Sequence, residues 1–79
     1  MPRTFAQIAK DIKIAWPKIN PYAKNYLNAL MGINSSDPTA KYYLDEAGDI
    51  ALYFLSNATS FRGEQARKLK QELKDLIKQ

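Results

Sequence analysis

The sequence predicts an all-α fold, a compact bundle of four main helices with a short fifth helix over residues 37–44. Three observations lead there. Apolar residues recur at i, i+3, i+4 and i+7 through most of the chain, the period of an amphipathic helix. No stretch sustains the two-residue alternation of a half-buried strand. Pro17, Pro21 and Pro38, with Gly32, Gly48 and Gly63, punctuate the periodic segments.

The first helix is expected from Thr4, a suitable N-cap, to Trp16. Phe5, Ile8, Ala9, Ile12, Ala15 and Trp16 share one face, and Pro17 disfavours helix at the residue before it. Asn20 then caps a second helix that has Pro21 at its first position and Gly32 near its end. Its apolar residues, Tyr22 to Ile33, cover about half the circumference, so it should meet several neighbours. Residues 34–38 form the main loop, and Asp37-Pro38 can start the short helix. A third main helix is expected from about Glu46 to Ala58, with Asp45, Glu46 and Asp49 at the positive end of its dipole. Ile50 to Leu55 are apolar almost all round, which places this helix at the centre of the bundle. Gly48 within it points to a close helix crossing. The last helix should begin between Ser60 and Gly63 and run to about Lys78. Its packing stripe is Ala66, Leu69, Leu73, Leu76 and Ile77, with Phe61 plugging the corner.

The expected core is Phe5, Ile8, Ile12, Trp16, Tyr26, Leu30, Ile50, Ala51, Phe54, Leu55, Leu69, Leu73 and Leu76. With 79 residues, one small domain is expected. Its net stability should be only a few kcal/mol. There is no cysteine and no histidine, so disulfides, thiolate nucleophiles and the commonest metal ligand and general base are excluded. No glycine-rich phosphate loop is present, and the serines have no histidine partner. No enzymatic activity, cofactor or metal is expected. The longest apolar run, Ile50 to Leu55, is far too short to cross a membrane, and the first residues lack the apolar core of a secretory signal.

Charge is unevenly spread. The formal total of +4 divides into +4 over residues 1–33, −3 over 34–60 and +3 over 61–79. On the last helix Arg67, Lys70, Lys74 and Lys78 fall within about 80° of one another, opposite the packing stripe. With Arg62 they form a candidate surface for phosphates or for an acidic protein. A solvated lysine face, with Glu64–Lys68 and Asp75–Lys78 pairs beside it, is the plainer alternative. The corner from Phe61 to Arg67 admits a helix-turn-helix, with Arg62, Gln65 and Lys68 near the start of a recognition helix. On the first helix Ile14 lies opposite the core stripe, ringed by Arg3, Lys10 and Lys18, and is a candidate protein contact. Tyr42 and Tyr43 are adjacent, so one element cannot readily bury both. The exposed one would join Asp37, Asp45, Glu46 and Asp49 in an aromatic-acidic patch.

Residues 53–64, Tyr-Phe-Leu-Ser-Asn-Ala-Thr-Ser-Phe-Arg-Gly-Glu, followed by Ala66-Arg67 and Lys70-Gln71-Glu72-Leu73, carry a resemblance, as does Tyr26-Leu27-Asn28-Ala29-Leu30. They resemble small uncharacterised helical proteins encoded by bacteriophages, plasmids and other mobile elements. The resemblance implies the cytoplasm of a bacterial host and an accessory role in host takeover. It transfers no functional residue, because the family brings no established activity with it. Many small phage proteins of this type inhibit host defence, CRISPR systems included, by binding; that extension is analogy. The expected function is therefore a non-enzymatic protein-binding module, anti-CRISPR-like in its action on a host defence complex. The alternatives are a nucleic-acid binder using the basic face of the last helix, and a structural homodimer joined through Ile14 or the Tyr42–Tyr43 region.

Overall fold

A computed structural model describes residues 3–78. They form four helices and one two-stranded antiparallel sheet in the order α1 (Phe5–Ala15), α2 (Pro21–Met31), β1 (Lys41–Tyr42), β2 (Asp45–Glu46), α3 (Ala47–Ser56) and α4 (Glu64–Ile77). The four-helix expectation holds. The short fifth helix does not form, and the expectation of no strand is corrected by the hairpin, in which Lys41 faces Glu46 and Tyr42 faces Asp45.

The helix starts follow the sequence signals. Thr4 accepts from the Gln7 amide while the Gln7 side chain accepts from the Thr4 amide, a complete capping box. The next amides of α1 are satisfied by the loop after α2: Phe5 donates to the Ser35 carbonyl and Ala6 to the Ile33 carbonyl, both at 2.9 Å. Asn20 caps α2 by accepting from the Ala23 amide at 2.8 Å. Its Nδ2 also donates to the Asn57 carbonyl at 2.9 Å, tying the start of α2 to the end of α3.

α3 starts differently. Glu46 supplies no side-chain cap. The Ala40 and Pro38 carbonyls instead accept from the Ala47 and Gly48 amides, each at 2.8 Å. This explains Gly48 and corrects the helix-crossing expectation, because a Cβ there would stand 3.2 Å from both Cβ and O of Pro38. The segment 37–46 thus folds back over the head of α3 as a turn and hairpin.

One buried apolar cluster joins all four helices, with Phe5, Ile8, Ile12, Leu27, Leu30, Phe54 and Leu73 wholly enclosed. Each such side chain stabilises the fold by up to about 1.5–3 kcal/mol. Of the expected core, Tyr26 and Leu55 are only half-buried, packed at its margin. α3 is not enclosed all round either: its Leu52 and Tyr53 are exposed, and the Tyr53 ring lies 5.6 Å from that of Tyr26 on α2. α3 packs on α2 along one side and on α4 along another, which leaves the face carrying Leu52 and Tyr53 to solvent. Phe61 does plug the corner between α3 and α4, stacked on Trp16 with centroids 5.0 Å apart; Trp16 in turn meets the edge of Phe54 at 6.3 Å. No polar or charged side chain among the described residues is buried.

Candidate functional site

Two surfaces stand out, one at each end of α3. The hairpin lies at its start. Tyr42 is half-buried, its ring resting on the end of α2, where a Cβ at Gly32 would come within 3.0 Å of Cε1. Gly32 is therefore the cradle of this ring as well as the helix C-cap. Tyr43 and Leu44 form the two-residue connection between the strands, 85% and 93% exposed. The Tyr43 backbone has φ of 59°, the left-handed region, and no other non-glycine residue described shares that property. Primed hairpin turns give this position to Gly, Asn or Asp, because a Cβ there costs about 1 kcal/mol or more. The Tyr43 ring meets the Tyr42 ring edge-on at 4.8 Å, which fixes its direction on the tip.

Acids follow the tip along the chain. Asp45 and Asp49 are exposed, and Glu46 is only loosely paired, 3.6 Å from Lys41. Asp37, in the turn below, accepts from the amide and hydroxyl of Thr39 at 2.9 and 2.7 Å. These bonds, the backbone one foremost, hold its carboxyl below the ordinary range. Tyr43 is the exposed member of the tyrosine pair, and Leu44 is exposed next to it, a residue that sequence reasoning missed. Its signal was present: a large aliphatic residue between Tyr43 and Asp45 in a segment with no helical stripe.

The other surface lies beyond the end of α3. Arg62, Arg67 and Lys70 line an open cleft of about 330 Å³ with Phe61 and Gly63. Gly63 has φ of 115°, a conformation that only glycine adopts without strain, and it turns the chain into α4. The Arg62 Nε donates to the Thr59 carbonyl at 3.1 Å. Lys70 does not lie opposite the packing stripe as expected: one helical turn after Ala66 it is half-buried at the stripe's edge, with Nζ 5.7 Å from the centroid of the core residue Phe61. Partial burial, then the nearby Lys74 and Arg62 charges, push the Lys70 ammonium below its ordinary range. Lys74 and Lys78 continue the row along α4 and are exposed.

The remaining expectations divide. Ile14 is 80% exposed and Lys10 and Lys18 are exposed beside it, but Arg3 does not join their rim. Its guanidinium bonds Asp11 and, through two nitrogens, Glu72 at 2.6 and 3.0 Å, so it clamps α1 to α4. The bonds to Glu72 first, then that to Asp11, raise its affinity for its proton further. Glu64 and Lys68 do pair, at 3.7 Å. Asp75 accepts from Gln71 Nε2 at 2.9 Å, and no pair to Lys78 forms within 4 Å among the described residues. The helix-turn-helix expectation fails on geometry: residues 57–63, seven in all, separate α3 from α4. That motif uses a turn of about 3–4 residues.

No helix among the described residues is long and apolar enough to cross a membrane. No protein-family model, curated protein or solved structure matches this chain.

Proposed function

We propose that this chain is a non-enzymatic protein-binding module that inserts Tyr43 and Leu44 into an apolar cleft of a partner. One observation carries the reading. The two most exposed large apolar side chains of the described residues are consecutive, at the tip of a hairpin. One of them occupies a left-handed backbone position that asparagine or glycine would fill at lower cost. Strain kept at an exposed position of this type is a recognised mark of function. Tyrosine at the centre of an interface supplies large contact area with few rotatable bonds. The exposed acids that follow the tip in the chain, Asp45 and Asp49, suit a partner cleft with a basic border.

The class of partner rests on the resemblance of residues 53–73 to small phage and mobile-element proteins. On that analogy the partner is a complex of the bacterial host, and binding disables a defence system, as anti-CRISPR proteins do. A photo-crosslinking residue at position 43 tests the reading in nuclease-treated bacterial lysate. The expected result is one discrete protein adduct that disappears when Leu44→Ser is added. Crosslinking equal to that from a probe at position 24 would contradict it.

A further inference from the structure

We propose that the cleft at the start of α4, with the cationic row leading from it, binds the phosphate backbone of nucleic acid without reading sequence. The argument begins with where the acids go. The segment 61–78 carries Glu64, Glu72 and Asp75. Glu64 pairs with Lys68, Glu72 with Arg3, and Asp75 accepts from Gln71. Glu64 and Glu72 are thereby paired with cations outside the row, while Asp75 keeps its charge and bonds a neutral amide. Arg62, Arg67, Lys70, Lys74 and Lys78 have no carboxylate within 4 Å among the described residues. Five cations of the described residues thus lack an ion-pair partner, and Lys70 is held against Phe61 within the field of two others. Like charges at i, i+4 destabilise a helix, so folding alone does not favour this arrangement.

The shape of the charge selects the ligand. From Arg67 to Lys78 the row advances about 16 Å along the α4 axis. Arg62 and the cleft extend it past the helix start, and the Arg62 Nε bond to the Thr59 carbonyl leaves the terminal nitrogens of that side chain as donors. A line of charge this long is matched by a regular polyanion rather than by one phosphate. Nucleic acid, with one charge per about 3.4 Å of each strand, is such a polyanion. The row offers bases no free aromatic or amide side chain, and its cations bond phosphate wherever they meet it. Phe61 is 4% exposed, so it cannot stack on one, and the Gln71 amide is engaged with Asp75. Binding should therefore be salt-dependent and indifferent to sequence. This surface lies at the far end of α3 from the hairpin tip, and the inference is independent of the protein-binding reading.

Fluorescence anisotropy with two labelled duplexes of unrelated sequence, titrated with salt, tests it. Both duplexes should bind equally, with log K falling linearly in log salt. Lys70→Gln with Lys74→Gln should flatten that slope by about two, since each phosphate contact contributes about 0.9. Circular dichroism should show an unchanged helix content, and Tyr43→Asn should bind DNA as the parent does. Absence of binding at low salt, a preference between the duplexes, or a slope unaffected by the double substitution would each overturn the proposal. So would tighter binding to poly-glutamate than to DNA, which would assign the row to an acidic protein.

Discussion

Pro38 and Gly48 hold each other in place. The Pro38 carbonyl accepts the Gly48 amide at 2.8 Å, and that carbonyl oxygen and the Pro38 Cβ would each stand 3.2 Å from a Cβ on residue 48, so one of them would have to shift. This contact seats the turn on the head of α3 and so sets where the hairpin stands. In an open helix Gly→Ala would stabilise by about 1 kcal/mol. Here the obstructing oxygen is itself fixed by the hydrogen bond. Gly48→Ala is expected to forfeit the gain and lose about 1 kcal/mol net, measured by urea denaturation. A rise in stability would mean the turn yields freely.

Trp16 joins the end of α1 to the α3–α4 corner through Phe54 and Phe61. Trp16→Ala should cost about 3–5 kcal/mol, a large part of the stability of so small a domain. The expected outcome is loss of cooperative thermal unfolding near room temperature. Phe61→Leu, which keeps most of the volume, should remain folded with a loss of about 1–2 kcal/mol.

Arg3 spans Asp11 and Glu72, but all three side chains are more than a third exposed, so solvent screens the clamp. Arg3→Gln is expected to cost no more than about 1 kcal/mol in dilute buffer. Paired denaturation curves at low and high salt should show the difference shrinking as salt rises.

Asp37 should titrate below the ordinary carboxylate value, because Thr39 donates to its ionised form twice. The unfolded chain takes up this proton at higher pH than the folded chain. The contribution to stability is therefore complete above the ordinary carboxylate range and is lost as pH falls through the folded value. Thr39→Val removes the hydroxyl but keeps the amide, so carboxyl NMR should show the Asp37 midpoint moving only part of the way up.

The helices were legible because their signals are local. Thr4, Asn20-Pro21 and Gly32 mark their ends with residues whose chemistry fits those positions. The row from Arg67 to Lys78 was legible for the same reason, since one helical period places it. The hairpin was not. Its strands are two residues each, too short to display alternation, and its turn carries Tyr43-Leu44 in place of a glycine or asparagine signal. What stabilises it is remote: the Ala40 and Pro38 carbonyls on the head of α3, and Tyr42 on Gly32. The clamping role of Arg3 was hidden likewise, because Glu72 lies at the other end of the sequence. Helical patterning of Ile50 to Leu55 gave the right element but overstated its enclosure, since hydropathy alone does not reveal which neighbours are missing.

The central claim is that the hairpin tip trades stability for binding, and Tyr43→Asn tests it most directly. Asparagine tolerates the left-handed backbone of residue 43 and removes the exposed ring. Thermal unfolding of the parent and the variant, followed by capture of the crosslinked partner on each, gives both quantities from one pair of proteins. The account predicts a variant more stable by about 0.5–1 kcal/mol that no longer retains the partner. A variant that is less stable, or one that retains the partner at full strength, would contradict it.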